Sequence, residues 1–390
     1  MRILFFADGR SPIALNWIRF FCEVGDEVHL ISLYPCKPQL PLASLRILRL
    51  PYLAAQTAET AGGQSWARRF LSVQVRTAIR QRIVPLGIPS AASIFREWVD
   101  EIQPQLIHAM RIPYEGMVAA LAEPAAPLLI SVWGNDFTLH APATRQMSAL
   151  TRQTLEKAKA LHTDCEKDWR LAIAWGYDPQ KPSVVLPGAG GVRTNIFAPP
   201  GTAEREKTPP TLINPRGIRA YVRNDTFFQA VALVRQKHPS LRVLCPAMAE
   251  ERQAVEWVRE YGLEEVVELL PRQTAEAMAG LYRRAWVSVS LTEHDGTPNT
   301  LLEAMACGCF PVGGDIESLR EWITPGVNGL LAPPADARRA AEAILEGLEN
   351  SGLRRRAAEI NVRLITERAE YGRVMEQARE WYRRLIASTS

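Results

Sequence analysis

The sequence predicts an α/β protein built as two doubly wound, parallel-sheet domains, and three observations carry that reading. Short β-rich apolar runs alternate with helix-patterned segments from the first residues, with a strand at 3–7, a helix at 13–23 and a strand at 27–33. That is the βαβ opening of a doubly wound sheet. The alternation starts afresh at 211–214 and continues through 225–236, 241–245, 250–261 and 266–270. Between the two halves, residues 198–210 are rich in proline and charge, which suits a linker. A chain of 390 residues is long for one core and comfortable for two.

Composition narrows the class. Hydrophobic residues make up 47% and charged residues 23%, a globular balance, and a net charge of +4 is too small to imply a nucleic-acid partner. The six cysteines are scattered with no C-x-x-C pair, which fits a reduced cytoplasmic setting and argues against a metal-ligand cluster. M-R-I-L-F-F-A-D-G reads as a first buried strand rather than a signal peptide, and no run is long enough to span a bilayer.

The first strand ends in D-G-R-S-P, and the single Gly9 falls short of a dinucleotide fingerprint. Between Glu59 and Glu97 there is no acidic residue, while Arg68, Arg69, Arg76, Arg80 and Arg82 fall there beside Trp66, Phe70, Leu71, Val73, Val75, Ile79 and Ile83. Such a stretch suits a core-packed helix with solvated arginines, and equally the surface of an anionic membrane or an anionic acceptor such as a lipid-linked phosphate. Two apolar strands follow, P-Q-L-I-H-A-M-R and L-L-I-S-V-W-G-N-D. In a doubly wound sheet ligands collect beyond the carboxyl ends of strands, so His108, Arg111, Trp133, Asn135 and Asp136 are expected to border one cleft. His108 as a hydrogen-bonded interior residue and Asp136 as a helix cap are the plainer alternatives.

The second half centres on S-L-T-E-H-D-G-T-P-N-T-L-L-E-A-M-A-C-G-C-F-P, residues 290–311. A strand feeds a Gly-Thr-Pro-Asn turn that opens directly into a short Leu/Ala/Met helix. The unpaired N–H groups of such a helix start carry partial positive charge, so Gly296, Thr297, Pro298, Asn299 and Thr300 form a turn suited to phosphate oxygens. Asp295 and Glu303, eight residues apart, are costly beside phosphate unless they bind hydroxyls. A nucleotide sugar supplies both groups.

The run D-G-T-P-N-T-L-L-E-A-M-A-C-G resembles the E-x7-E signature of retaining glycosyltransferases of GT-B fold, in particular glycosyltransferase family 4, with Asp295 in place of the first Glu. The resemblance continues in the first half, where the strand at 104–111 is similar to D-V-V-H-A-H and that at 128–136 to H-G-x-D, with Trp133 where the family commonly has His. It implies that Glu303 binds the nucleotide's ribose and Asp295 the transferred sugar, and that Thr300 and Leu301 complete the donor turn. Arg216, in P-R-G-I-R-A-Y-V-R, matches the Arg of G-R-L-x-x-x-K-G that neutralises the diphosphate, and Arg219, Tyr221 or Arg223 takes the Lys position by different registers. Leu270 and Gln273 lie where the family holds the base, while Gly9 and Arg10 join the acceptor-side residues, with Asp136 as an acceptor-side catalytic contact.

The resemblance further implies a domain plan of 1–200 for the acceptor, 201–210 as linker, 211–368 for the donor and 369–390 as a helix crossing back to the first domain. The two Rossmann-like domains would face one another across a cleft. The implied reaction is retaining, metal-independent transfer from a nucleotide-diphosphate sugar, needing no cofactor, to a hydroxyl acceptor. The acidless basic stretch at 66–83 favours a lipid-linked or cell-surface glycan precursor and peripheral contact with an anionic membrane. A small soluble acceptor, an epimerase of the same fold, or an inactive nucleotide-sugar-binding protein are the alternatives.

Overall fold

The computed structural model describes residues 1–50, 73–200 and 209–388. Trp66, Arg68, Arg69, Phe70 and Leu71 of the basic stretch therefore lie outside the described residues. The chain divides into two compact units, Met1–Gly190 with Arg373–Ser390, and Gly191–Gly372.

In the first unit the order is β1 (Arg2–Phe6), α1 (Pro12–Glu23), β2 (Glu27–Ser32), β3 (Ser44–Ile47), α2 (Val73–Ile83), α3 (Ile88–Ile102), β4 (Leu106–Ala109), α4 (Met117–Ala122), β5 (Leu128–Val132), α5 (Arg145–Lys157), β6 (Ala160–Thr163), α6 (Glu166–Ala174) and β7 (Ser183–Val185). The seven strands are parallel in the order β3-β2-β1-β4-β5-β6-β7. Ile3, Leu4, Phe5 and Phe6 are wholly buried, the continuous apolar run expected of a central parallel strand covered on both faces. Helix starts are capped locally: Ser11 Oγ accepts from Ala14 N ahead of Pro12, and Thr144 Oγ1 accepts from Met147 N.

The second unit repeats the plan with β8 (Thr211–Ile213), α7 (Asn224–Lys237), β9 (Arg242–Cys245), α8 (Arg252–Glu260), β10 (Val267–Leu269), α9 (Ala275–Arg284), β11 (Val287–Ser290), α10 (Asn299–Ala306), β12 (Phe310–Gly314), α11 (Glu317–Arg320), β13 (Leu330–Ala332), α12 (Ala337–Glu349) and α13 (Ser351–Arg368). Its six strands are parallel in the order β10-β9-β8-β11-β12-β13. In both sheets the strand order reverses once, between β1 and β4 and between β8 and β11. The crevice beyond the carboxyl ends at such a reversal is where doubly wound sheets take ligands.

The last helix, α14 (Tyr371–Ala387), belongs to the first unit from Arg373 onward. Its Tyr382 stacks on Phe21 of α1 with ring centroids 4.7 Å apart. Residues just after 190 are fastened to the second unit: Val192 N donates to Ala369 O (2.7 Å), and Arg283 donates to Ile196 O (2.6 Å) and Ala198 O (3.1 Å). The boundary thus falls ahead of the proline-rich stretch, of which 201–208 lie outside the described residues.

Candidate functional site

In the second unit the reversal point gathers the ends of β8 and β11 and the start of α10. Arg216, just past β8, donates from Nη2 to Asp295 Oδ2 (2.5 Å) and from Nη1 to Thr300 Oγ1 (3.4 Å). Burial works against its charge, but Asp295, with Tyr221, Tyr282 and Glu303, outweighs that and holds the guanidinium above its ordinary pKa. Its Nε is buried without a hydrogen-bond partner, as are Ser290 Oγ and Asn299 Oδ1 in neighbouring segments. Pro298 occupies the N-cap position of α10 and no side chain caps the helix. Its first turn can therefore receive an anion.

Glu303, one turn into α10 and partly exposed, is pushed up to about 8 by burial, against the Tyr282 hydrogen bond and Arg216. Tyr282 OH lies 3.4 Å from Glu303 Oε2 and 3.2 Å from Thr300 O. The loop ahead of α10 is fixed from below. Ser318 Oγ donates to Asp295 O (2.8 Å), Gly296 N to Asp295 Oδ1 (3.2 Å), and Trp322 Nε1 to Thr297 Oγ1 (3.0 Å), while Leu301 is buried. Arg216, Asp295, Thr300 and Glu303 are thus brought together.

The remaining donor-side candidates are more dispersed. Arg223 opens α7 and is held by Asp225 (Nη2–Oδ2 2.7 Å) and Glu293 (Nη1–Oε1 3.2 Å), both of which raise its pKa. Arg219 is exposed and, among the described residues, donates only to Ile218 O (3.3 Å). Leu270 spends its backbone on Cys245 O, Met248 N and Ala249 N, and Gln273 Nε2 donates to Pro271 O (2.8 Å).

In the first unit, Gly9 N donates to Ser32 Oγ (3.1 Å), and a Cβ at Gly9 would stand 2.4 Å from Cys36 Sγ. Arg10 forms a two-pronged pair with Asp8, each bond 3.0 Å, and lies 3.7 Å over the Tyr34 ring. Arg111 donates to Asp136 Oδ1 (3.1 Å) and Asn135 Oδ1 (2.8 Å) and sits 5.7 Å over the Trp133 ring. Asp136 is 1% exposed, and its Oδ2 accepts from Trp133 N (3.1 Å) and Ile112 N (3.4 Å). It ties the ends of β4 and β5 together.

His108 is likewise enclosed by the protein. It is 0% exposed and sits inside a chain of hydrogen bonds. Trp17 Nε1 donates to Tyr382 OH (2.9 Å), Tyr382 OH donates to His108 Nδ1, His108 Nε2 meets Ser131 Oγ (2.6 Å), Ser131 Oγ meets His162 Nδ1 (2.7 Å), and His162 Nε2 donates to Leu186 O (2.8 Å). Trp17 can only donate and Leu186 O can only accept, so one arrangement of protons satisfies every member with both imidazoles neutral. Burial accordingly holds His108 well below its ordinary pKa, and His162 at about 4.

Residues 201–362 match the family Glycosyl transferases group 1, and residues 16–188 match the Glycosyl transferase 4-like domain. The chain belongs to the family 4 glycosyltransferases. Its fold is GT-B, and the full-length solved likenesses share it. Sucrose-phosphate synthase from Thermosynechococcus elongatus superposes with TM-score 0.76 at 17% identity over 100% of each chain. The Anabaena HepE protein, solved in complex with UDP, superposes with TM-score 0.71 at 14% identity over 97% of this chain and 99% of that one. Among sequence relatives, the D-inositol 3-phosphate glycosyltransferase of Thermobispora bispora is 27% identical over 210 residues, 50% of this chain and 48% of the relative. The chain therefore spans about half the length of the curated relatives it matches.

Several residues that shape this glycosyltransferase's site had no signal of their own in the sequence. Asn214 Nδ2 donates to Asn224 Oδ1 (2.9 Å), Asn224 Nδ2 to Gly217 O (3.1 Å), and Arg216 N to Asn214 Oδ1 (3.3 Å), a brace that sets the Arg216 loop. Tyr282 arrives from α9. Among the described residues, one group has metal-ligand proximity: Asp164, Cys165 and Asp168, whose ligand atoms lie within 4.8 Å of one another. Lys167 Nζ, 3.1 Å from Asp168 Oδ1, already supplies that group with a cation.

Proposed function

We propose that this glycosyltransferase moves a sugar from a nucleotide-diphosphate sugar, held in the second unit, to a hydroxyl acceptor taken by the first unit, with retention at the anomeric carbon and without a metal. The observation that carries this is the placement of Arg216 against Asp295 and Thr300 at the uncapped start of α10, with Glu303 one turn further on. The step breaks the bond between the anomeric carbon and a phosphate oxygen of the donor and makes one to the acceptor oxygen, and the acceptor's proton leaves to the departing diphosphate. Arg216 and the first turn of α10 face the charge that grows on that diphosphate. Asp295 and Glu303 bind hydroxyls of the sugar and the ribose.

The acceptor we infer is a lipid-linked or cell-surface glycan precursor. A small soluble acceptor, such as the inositol 3-phosphate for which the sequence relatives are named, is the second reading. Peripheral contact with an anionic membrane is supported by exposed apolar side chains along α2, α3 and the turn between them, with Leu86 at 71% exposure, Val75, Ile83 and Ile94 also exposed, and exposed Arg82. No helix among the described residues is long and apolar enough to cross a membrane.

A thermal-shift panel of UDP-, GDP- and ADP-sugars, with and without EDTA, tests the donor reading. One nucleotide series should raise the midpoint irrespective of EDTA, and Glu303→Ala should abolish the rise. Stabilisation by none of them, or only in the absence of EDTA, would sink it.

A further inference from the structure

We propose that Arg80 and Tyr114 form an anion subsite in the first unit that takes a phosphate group carried by the acceptor. The proposal rests on the acceptor half of the reading above and names its chemical class. Arg80 is placed by its neighbour. Gln81, itself buried, donates from Nε2 to His140 Nδ1 (3.0 Å) and to Leu139 O (3.3 Å), pinning the end of α2 to the turn that follows β5. The Arg80 guanidinium then lies 6.0 Å from the Tyr114 ring centroid, in the segment just after β4. That segment leaves the sheet where the strand order reverses.

The charge balance singles out Arg80. Three guanidiniums and two phenols surround this end of the sheet. Arg10 is matched by Asp8, and Arg111 by Asp136. Among the described residues no carboxylate forms an ion pair with Arg80, and its buried Nε has no hydrogen-bond partner. Tyr114 is 4% exposed, and its hydroxyl makes no hydrogen bond of good geometry, with the Arg80 guanidinium as its near neighbour. Burial raises that phenol to about 12, against Arg80 and Arg111, so it stays a donor at neutral pH. Buried donors are seldom left unmet, because desolvation without a partner is costly.

A phosphate oxygen satisfies both groups at once: it accepts from guanidinium and phenol, and its charge answers the unmatched cation. The buried carboxyl of Glu115, next in the same segment, does not compete for the site. Its Oε2 accepts from Tyr114 N (2.9 Å), and burial lifts it to about 7 despite Arg111. A lipid-linked acceptor and a soluble ester share this recognition chemistry, and binding experiments separate them.

The test uses the full chain and measures binding of inorganic phosphate and sn-glycerol 3-phosphate against glycerol, and binding to phosphatidylcholine vesicles with and without phosphatidate. Wild type, Arg80→Gln, Tyr114→Phe and the exposed-charge control Arg145→Gln are compared. Phosphate-bearing probes should bind and glycerol should not, with dissociation constants weakened about tenfold or more by Arg80→Gln and severalfold by Tyr114→Phe. Arg80-dependent binding of the soluble ester alone assigns the phosphate to a soluble acceptor, and Arg80-dependent binding of phosphatidate vesicles assigns it to a lipid. Equal affinity in wild type and Arg80→Gln, an equal loss in Arg145→Gln, or no binding in either arm overturns the subsite. Because Tyr114→Phe keeps the ring packing, it decides the matter if Arg80→Gln misfolds. Stabilisation by nucleotide sugars, read on the same wild-type preparation, reports on the donor reading separately.

Discussion

Replacing Glu303 by glutamine should stabilise the second unit by an amount that grows as pH rises. Burial pushes this carboxyl from its ordinary 4.5 to about 8, with Tyr282 and Arg216 opposing. Between those values the folded chain keeps a proton that the unfolded chain releases. The native state then binds more protons than the unfolded one, so wild-type stability falls with rising pH across that window. Each unit is worth about 1.4 kcal/mol, so the climb from pH 5 to 7 would cost roughly 3 kcal/mol for a fully enclosed group. Glu303 is partly exposed, and screening by solvent reduces this to about 1.5 kcal/mol. The measurement is urea denaturation of wild type and Glu303→Gln at pH 5, 6 and 7, followed through the tryptophans of the second unit. The stability difference should widen in favour of the variant by that amount. A difference that stays flat, or that widens in favour of wild type because Arg216 holds the carboxylate ionised, refutes the reasoning.

Three further outcomes follow from named contacts. Arg216→Ala should lower turnover by about a hundredfold or more while weakening donor binding far less, since its charge is needed most as the diphosphate leaves; unchanged turnover in a steady-state assay would remove it from that role. Gly9→Ala sets a methyl 2.4 Å from Cys36 Sγ and should destabilise the first unit by about 1–3 kcal/mol. Adding Cys36→Ala should recover most of the loss, and a calorimetric scan showing no recovery would mean another contact is responsible. Leu86→Glu with Ile83→Glu should abolish co-sedimentation with anionic vesicles while leaving thermal stability in place, because both side chains are already exposed; retained sedimentation would dismiss that surface.

The fold was legible because burial on both faces writes parallel strands as apolar runs, and β1, β2, β8 and β9 stand within a residue or so of where those runs lie. Strand β3 left no such trace, since it is a four-residue edge strand with its side chains half in solvent. The donor turn was legible because its chemistry is local: Asp295, Thr300 and Glu303 arrive on one strand-turn-helix unit. Arg216 was found through resemblance, while Asn214, Asn224 and Tyr282 act only through contacts that folding creates. His108 and Asp136 show the limit of the strand-end rule. It locates a residue along the sheet but not the direction in which its side chain is spent, and here the protein's own donors and acceptors claim both. Arg80 was visible as one of several arginines. What distinguishes it is the lack of a matching carboxylate among the described residues, which needs three dimensions.

The hydrogen-bonded line from Trp17 through Tyr382 and His108 to Leu186 also orders events in time. Trp17 and Tyr382 are 365 residues apart, so the core of the first unit contains a position that nothing can fill until residue 382 has left the ribosome. The second unit, encoded entirely between 191 and 372, can fold while that position is still open. During synthesis the half made first is thus the half finished last. Until α14 docks, Trp17 and His108 each face a partner's place that only water or a chaperone can occupy. A nascent chain ending at residue 372 and carried clear of the ribosome exit tunnel by an unstructured linker should therefore display a protease-resistant second unit beside a first unit that is still cut.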